Sequence, residues 1–260
     1  MGSAAVQGPL WGRHPEIWST TMEQVMRPLY LATLEALQPL GGKAVLDAGC
    51  GAGQAAADAA ARGAAVSGVD ASAPLLGVAR RRTPAGDFRQ GDIEALPFDD
   101  ESFDVVTAFN AIQYAVDPAS AVAELARVCR SRGEVAIGVW GDPSRCETES
   151  LFGRLRSLAP PPPGTPAPLA CSDPGVVENL LTKAGLSVRG GAEVAIPMEF
   201  ADLDEAWTAH ASAGPLQKMI DTVGPDSVRQ VIDAVLEADR KPDGALRQDN
   251  VMRYVLTTKP

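Results

Sequence analysis

The stretch that decides the fold is VLDAGCGAGQ, at residues 45–54. An apolar run ends in Asp47, three glycines follow at alternate positions, and a run of alanines comes after them. Such a short apolar run, bounded by an acid and a glycine, is typical of a buried parallel strand. Glycines at its end permit a tight turn and a close approach of backbone to ligand. The stretch therefore predicts a strand, a ligand-binding turn and a helix.

The alternation of strand and helix continues beyond this turn. Five strand-like runs are separated by helix-like ones: KAVLDAG (43–49), AAVSGVD (64–70), GDFRQGD (86–92), SFDVVTAFN (102–110) and GEVAIGVWG (133–141). Repeated strand–helix units with short connections predict an α/β fold with a doubly wound, mostly parallel sheet and helices on both faces.

The rest of the chain is predicted to form lid segments and further elements of the same core. We expect helical lid material at 1–42, 142–171 and 201–249, the core at 43–141 and 172–200, and a last core strand at 250–260. Smaller elements are also predicted: no fixed structure at 1–8, helices at 147–158, 172–186, 202–212 and 225–240, a stiff proline-rich connector at 159–168, and one strand at 187–200.

Composition excludes several classes of partner. The chain has 260 residues, 45% of them hydrophobic, and a net charge of −10. An acidic surface disfavours nucleic acid and anionic membranes as partners. No apolar run approaches the roughly 18 residues of a membrane span. Four cysteines are scattered without metal-site spacing, so we expect reduced thiols, no metal and a cytoplasmic location.

The glycine spacing distinguishes between classes of ligand. The dinucleotide fingerprint GxGxxG needs its third glycine at position 54, where this chain has glutamine. Here the pattern is DxGxGxG, formed by Asp47, Gly49, Gly51 and Gly53. It resembles motif I of the class I S-adenosylmethionine (SAM)-dependent methyltransferases. SAM carries an ammonium and a sulfonium and no pyrophosphate, and an acid at the strand end suits such a cation. A glycine turn beside a structural acid remains the alternative.

Two further motifs strengthen this resemblance. Asp70 ends the second strand, where an acid, with Ala71 beside it, accepts hydrogen bonds from ribose hydroxyls. GDIEALPFDDESFDVV (91–106) is similar to the run that follows the third strand in the family's UbiE-like, methyltransferase-11 type branch. The resemblance spans about residues 43–140. It implies a seven-stranded sheet, SAM as cofactor, S-adenosylhomocysteine as product, Asp92 as acceptor for the adenine amino group, and Ile93 against the adenine ring.

Candidate residues for the reactive end lie outside these motifs. Asn110 ends the fourth strand, where the resemblance places the methionine portion of SAM, although it also suits the capping of a turn. Tyr114 follows on the same loop. A hydroxyl acceptor needs a base, and the chain has two histidines, His14 and His210, either of which is also explained by packing. We favour His14 slightly, because leaders in this branch commonly fold over SAM.

The sequence thus predicts a SAM-dependent methyltransferase that acts on a small organic acceptor by O-, N- or C-methylation. A secondary metabolite is one such acceptor, and we expect a monomer or a homodimer. A SAM-binding cyclase or auxiliary enzyme that does not methylate is the alternative. A DNA amino-methyltransferase is disfavoured because residues 110–113 read NAIQ and not D/N-P-P-Y/F. A dehydrogenase is disfavoured by the glycine spacing.

Overall fold

The computed structural model describes residues 2–161, 165 and 167–260. The strands of this described part are β1 (Ala44–Ala48), β2 (Ala65–Asp70), β3 (Asp87–Gln90), β4 (Phe103–Phe109), β5 (Cys129–Trp140), β6 (Ser187–Ala195), β7 (Met198–Phe200), β8 (Leu246–Gln248) and β9 (Val251–Thr258). Its helices are α1 (Ala4–Trp11), α2 (Pro15–Thr20), α3 (Met22–Ala36), α4 (Gln54–Ala60), α5 (Ala73–Arg82), α6 (Pro118–Val128), α7 (Thr148–Leu158), α8 (Val176–Lys183), α9 (Leu203–Ala211), α10 (Gly214–Val223) and α11 (Pro225–Ala238).

Seven of the strands form one sheet, which confirms the predicted fold class. Its order is β3-β2-β1-β4-β5-β9-β6. The first five strands in this order are parallel, and β9 runs antiparallel to both β5 and β6. The direction of strand order reverses between β1 and β4. Ligands of doubly wound sheets bind at such a reversal, beyond the carboxyl ends of the strands.

Local signals explain how the helices beside this edge begin. The Ser72 side chain accepts a hydrogen bond from the N–H of Leu75 at 3.3 Å and caps α5. Asp117 caps α6 in the same way, accepting from the N–H of Ala119 at 3.0 Å, and proline follows at the first helical position. Both helices therefore start just past the strand ends and leave that edge of the sheet open.

The lid segments form a second layer above this edge. Helices α1–α3 pack on α4, α5 and α10, and α11 packs on α7 and α9. Their apolar faces share one buried cluster with residues of the sheet, including Trp140 on β5 and Met252 on β9. The lid segments are thus a packed part of the fold, and their helices form the walls of the space between them and the sheet.

Several predicted elements differ from the structure. Residues 3–8, for which no fixed structure was predicted, are ordered: α1 begins at Ala4, and the N–H groups of Ser3 and Ala4 donate to Glu94 and Asp92. The strand predicted at 187–200 is two strands in different sheets, β6 and β7. Helix α10 and strand β8 were not predicted. The proline-rich connector at 159–168 lies partly outside the described residues, which omit 162–164 and 166.

The four cysteines are buried and unpaired by disulfides. Among the residues that the structure describes, no helix is both long and apolar enough to span a bilayer. Within the same residues, no group of three or more histidine, cysteine or acidic side chains has the arrangement of a metal site.

Candidate active site

The three glycines of the turn after β1 all have positive φ, at 78°, 54° and 81° for Gly49, Gly51 and Gly53. Two of them are also required by packing. A Cβ on Gly49 would lie 2.5 Å from the Cβ of Ala111, and one on Gly53 would lie 2.7 Å from the Cβ of Ala79. Such distances are too short for any side chain. The first and third glycines therefore hold the turn against β4 and α5.

Gly51 is different because the space above it is open. The nearest atoms to a Cβ at this position are the indole Nε1 of Trp18, at 3.6 Å, and Oε1 of Glu23, at 3.7 Å. The backbone of Gly51 thus faces a cavity whose roof is the N-terminal helices. This is the arrangement expected of a glycine that touches a ligand.

The cavity has a volume of about 850 Å³ including its open mouth. It brings together most of the predicted cofactor residues and one of the predicted catalytic ones: Asp47, Gly49, Gly51, Asp70, Ala71, Asp92, Ile93, Asn110 and Tyr114. Gly53 does not line it. It caps the start of α4 and packs on α5, so contact of Gly53 with a cofactor stays a prediction.

Asp70 is held by the loops that it joins. Its Oδ2 accepts from the N–H of Gly51 at 2.9 Å, and its Oδ1 accepts from the N–H of Ser72 at 2.8 Å. Burial raises the pKa of this carboxyl, while the two backbone donors oppose the shift. Each carboxylate oxygen can accept more than one hydrogen bond, so acceptor capacity remains for ligand hydroxyls.

Asp47 lies deeper, at the carboxyl end of β1. It is 3% exposed, and its Oδ1 accepts from the hydroxyl of Thr107 at 2.8 Å. Burial raises the pKa of Asp47 to about 7, with smaller contributions from the carboxylates of Glu23 and Asp70. A cation placed in this cavity would favour the ionised form of Asp47 and lower that pKa.

Asp92 has partners that the sequence did not indicate. Its Oδ2 accepts from the N–H of Ala4 at 2.9 Å, and its Oδ1 accepts from the Ser3 hydroxyl at 3.1 Å and the Glu94 N–H at 3.0 Å. Helix α1 therefore starts on the very side chain predicted to accept the adenine amino group. Three of about four lone-pair sites are used, so one acceptor site is left.

The sequence indicates the roof of the cavity only in part: Trp18, Met26 and Tyr30 belong to an apolar, methionine-rich segment that fits either core or a cavity wall, and nothing in the sequence singles out Glu23. Helices α2 and α3 contribute Trp18, Glu23, Met26 and Tyr30 to the lining. All four side chains are at most 6% exposed. Their spacing is that of an ordinary buried helix face, so no local signal separates them from core residues.

Asn110 marks the boundary between this cavity and a second one. It adopts a positive φ of 50°, and its N–H donates to the carbonyl of Gly138 at 2.8 Å. Its side chain accepts from Gln113 and approaches the Met26 sulfur at 3.8 Å. The residue lines both cavities, as does Tyr114, whose pKa is raised by burial.

The second cavity, which we call the inner chamber, is almost entirely apolar. Its volume is about 420 Å³ including the space at its open mouth. The walls come from α1, α2, α3, α7, α9, α10 and strands β5 and β7. The lining residues are Trp11, Trp18, Met22, Met26, Asn110, Tyr114, Trp140, Thr148, Phe152, Pro168, Met198, His210, Ala213, Pro215 and Leu216. Beyond it, a wider groove shares Tyr114, Phe152 and Leu216 with the chamber and opens outward.

His210 is the one histidine that lines the chamber. It is 3% exposed, and its Nδ1 lies 2.9 Å from the carbonyl oxygen of Ala206. A carbonyl only accepts, so Nδ1 carries the proton and Nε2 has a free lone pair. That Nε2 is buried and has no partner among the described residues. Burial lowers the pKa of His210, which keeps the imidazole neutral.

The structure does not bring His14 to either cavity. It is exposed at the start of α2 and is absent from the lining of the cofactor cavity, the inner chamber and the groove. The cavity linings therefore favour His210 over His14 as the candidate base, the reverse of the preference drawn from the sequence. Its neighbours Trp11 and Trp18 do turn inward, because they occupy the apolar faces of α1 and α2.

Comparison with known proteins agrees with this arrangement. The model of a methyltransferase domain family matches residues 46–137. A demethylmenaquinone methyltransferase of Clavibacter sepedonicus is 38% identical over 116 residues, which are 44% of this chain and 47% of that protein. A ubiquinone biosynthesis O-methyltransferase of Thiobacillus denitrificans is 32% identical over 167 residues, 62% of this chain and 72% of the relative.

Solved structures show that the fold is shared more widely. The YcgJ protein of Bacillus subtilis superimposes with a TM-score of 0.65 at 21% identity, over 88% of this chain and 97% of that one. The [4+2]-cyclase SpnF does so with a TM-score of 0.57 at 20% identity, over 89% and 80%. At these identities the likeness shows the fold alone.

The sheet order and the glycine turn define the methyltransferase class of doubly wound folds. Within it, the chain belongs to the class I SAM-dependent methyltransferases, in the UbiE-like, methyltransferase-11 type branch. The chain spans about half the length of the first curated relatives that it matches.

Proposed function

We propose that this protein transfers a methyl group from SAM to a small, apolar organic acceptor. The observation that carries the proposal is the junction of two unlike cavities at Asn110 and Tyr114. One is lined by acids around a glycine turn and suits a cationic nucleoside. The other is apolar and contains one neutral histidine. A cofactor in the first would meet an acceptor in the second.

The residues of the first cavity fit SAM in their chemistry. Bound SAM supplies an electrophilic methyl group on a sulfonium. Asp70 accepts hydrogen bonds from ribose hydroxyls, Asp92 accepts from the adenine amino group, and Ile93 and Ala71 contact the base. Asp47 provides a buried negative charge for the cationic end of SAM. Gly49 and Gly51 have no side chains, so the ligand can contact their backbone.

His210 acts as the base for a protic acceptor. The helix carbonyl of Ala206 fixes the proton on Nδ1, so Nε2 accepts a proton from an acceptor hydroxyl. Its lowered pKa keeps the base unprotonated near neutral pH. Tyr114 lines both cavities and positions the acceptor at their junction. His14 has no part in the reaction.

The inner chamber also limits the class of acceptor. Aromatic and methionine side chains predominate in its lining, and such walls suit a flat apolar molecule. Two of the relatives are named for ubiquinone biosynthesis and demethylmenaquinone methylation. We therefore propose a hydroxylated aromatic acceptor, as a free small molecule, with neither nucleic acid nor membrane as partner.

The experiment is a calorimetric titration of SAM into the protein and into a G51V variant. Gly51 has room for a side chain but needs a positive φ, so valine fills the ligand's space and strains the turn. We expect binding to the parent protein and none to the variant. A panel of phenols is then incubated with SAM, and S-adenosylhomocysteine is measured.

A parent protein that fails to bind SAM would overturn the proposal. Tight binding without S-adenosylhomocysteine for any acceptor would favour the alternative, a SAM-binding cyclase or auxiliary enzyme that does not methylate.

A further inference from the structure

Four carboxylates line the cofactor cavity, and their order shows which part of a ligand each one faces. Gly51 lies between two of them: its N–H donates to Asp70, and its open side faces Glu23. Asp92 stands at the far end, under the start of α1. If Asp92 faces the adenine and Asp70 the ribose, then Glu23 lies beyond the ribose, at the amino-acid end.

Glu23 is unusual for a residue on a lid helix. Its carboxylate is 2% exposed, and Oε2 accepts from Arg82 at 2.7 Å. Arg82 reaches it from behind, while also donating to the carbonyl of Ala52 at 2.7 Å, and Arg82 does not line the cavity. Oε1 lies toward Gly51 and accepts from the N–H of Gln54 at a long distance of 3.3 Å, and the backbone of Ala52 is close to the same carboxylate. That oxygen retains acceptor capacity.

Trp18 supplies the complementary donor. It is 6% exposed, lines the cavity, and stacks edge-on with Trp11 at a centroid distance of 4.8 Å, which fixes the indole. No described residue accepts a hydrogen bond from its Nε1. A buried indole N–H normally has a partner. Here Nε1 and Oε1 of Glu23 both lie within 4 Å of the point that a Cβ on Gly51 would occupy, at 3.6 and 3.7 Å.

The described lining of the cavity contains no positively charged hydrogen-bond donor. Among the described residues no lysine, arginine or histidine lines it. A ligand carboxylate would therefore be bound by neutral donors, and the indole N–H of Trp18 is one of these in the lining. An ammonium must be bound by an acceptor, and the free side of Glu23 is the acceptor beside it.

We propose that Glu23 and Trp18 together bind the amino-acid end of SAM. Glu23 accepts from the ammonium, and Trp18 Nε1 donates to the carboxylate. This inference rests on the proposed function, since it assigns residues toward the same cofactor. Under this proposal, helices α2 and α3 bind the amino-acid portion of SAM, which a plain nucleoside lacks, while the strand ends bind the adenosine.

The test compares ligands with and without the amino acid. SAM, S-adenosylhomocysteine and 5′-methylthioadenosine, which keeps the adenosine and the sulfur but lacks the amino-acid portion, are titrated calorimetrically into parent, E23Q and W18F proteins. Both variants should lose about tenfold or more in affinity for SAM and for S-adenosylhomocysteine. Affinity for 5′-methylthioadenosine should change less than about twofold, because none of the lost contacts is made to it.

Matched controls are available in the same chain. E35Q makes the same substitution at an exposed position of α3, and W207F makes the same aromatic change on α9, away from the cofactor cavity. Neither should change any of the three affinities. Glutamine at position 23 weakens the contact with Arg82, so retained binding of 5′-methylthioadenosine also reports that the pocket is folded. If E23Q does not fold, the affinities of W18F for the three ligands test the proposal on their own.

Each other result contradicts the inference in a recognisable way. Equal losses for all three ligands would give Glu23 and Trp18 a purely structural role. A loss for SAM without one for S-adenosylhomocysteine would place Glu23 at the sulfonium and overturn the assignment. Unchanged affinities in both variants would remove the pair from the site. Absence of SAM binding to the parent protein would instead refute the proposed function.

Discussion

The cofactor cavity and the inner chamber adjoin, yet they are built in opposite ways. The floor of the cavity comes from strand ends within residues 47–114, where acids and glycines have a recognisable spacing. The chamber is assembled from helices that span residues 11–216, and its lining is almost entirely apolar. A site defined by charge and backbone conformation leaves a sequence signature, whereas a site defined by shape does not.

The largest effect is expected where the chamber holds its single base. H210Q removes the free imidazole nitrogen, and general-base catalysis typically contributes about 10²–10⁴-fold to rate. We expect kcat at saturating SAM to fall by that order, with the SAM affinity unchanged by calorimetry. The rate of the parent protein should fall on acidification only below the ordinary histidine pKa, since burial lowers the pKa of His210.

H14Q is the matched control for this prediction, because His14 is exposed and lines neither cavity. It should leave kcat unchanged. If H14Q were slow and H210Q fast, the chamber would not be the acceptor site, and the comparison between the two cavities would fail.

A smaller effect is expected at the ribose end of the cofactor cavity. D70A removes acceptors for the ribose hydroxyls and also the support that Gly51 N–H receives from Oδ2. We expect the free energy of SAM binding to weaken by about 1–3 kcal/mol, measured by calorimetry. D99A, at an exposed position of the same half of the chain, should have no effect. Unchanged affinity in D70A would take Asp70 out of the site.

The smallest effect is a dependence of affinity on pH. Asp47 has a pKa of about 7 in the ligand-free protein because it is buried. A cationic ligand binds better to the carboxylate, so binding releases a proton and affinity rises with pH. Between pH 6 and pH 8 we expect about a tenfold gain in SAM affinity, levelling off above pH 8.

D47N should bind SAM more weakly and lose this dependence. The same shift affects folding with the opposite sign: a carboxyl whose pKa is raised by folding adds stability below its unfolded pKa, near 4, and that stability is lost as pH rises to about 7. A gain in thermal stability for D47N at pH 8, with little change at pH 4, would confirm that folding raises the pKa of Asp47.

Much of the fold was predictable because its signals are local. The strand runs, the turn at 49–53 and the Ser72 cap all lie within a few residues of what they specify. Residues 1–8 were the clearest failure. Their composition predicts no structure, and only contact with the core makes α1: the N–H of Ser3 donates to Glu94, and that of Ala4 donates to Asp92.

The sequence by itself determined the doubly wound sheet and the acids at the ends of β1 and β2, since each depends on residues close together in the chain. Only the tertiary structure decided that His210 and not His14 lines the inner chamber, that Gly53 packs on α5 and does not line the cavity, and that Glu23 and Trp18 lie over Gly51. Those outcomes depend on how lid helices far apart in sequence pack on the sheet. That packing decides which side chains are buried and which way each one faces.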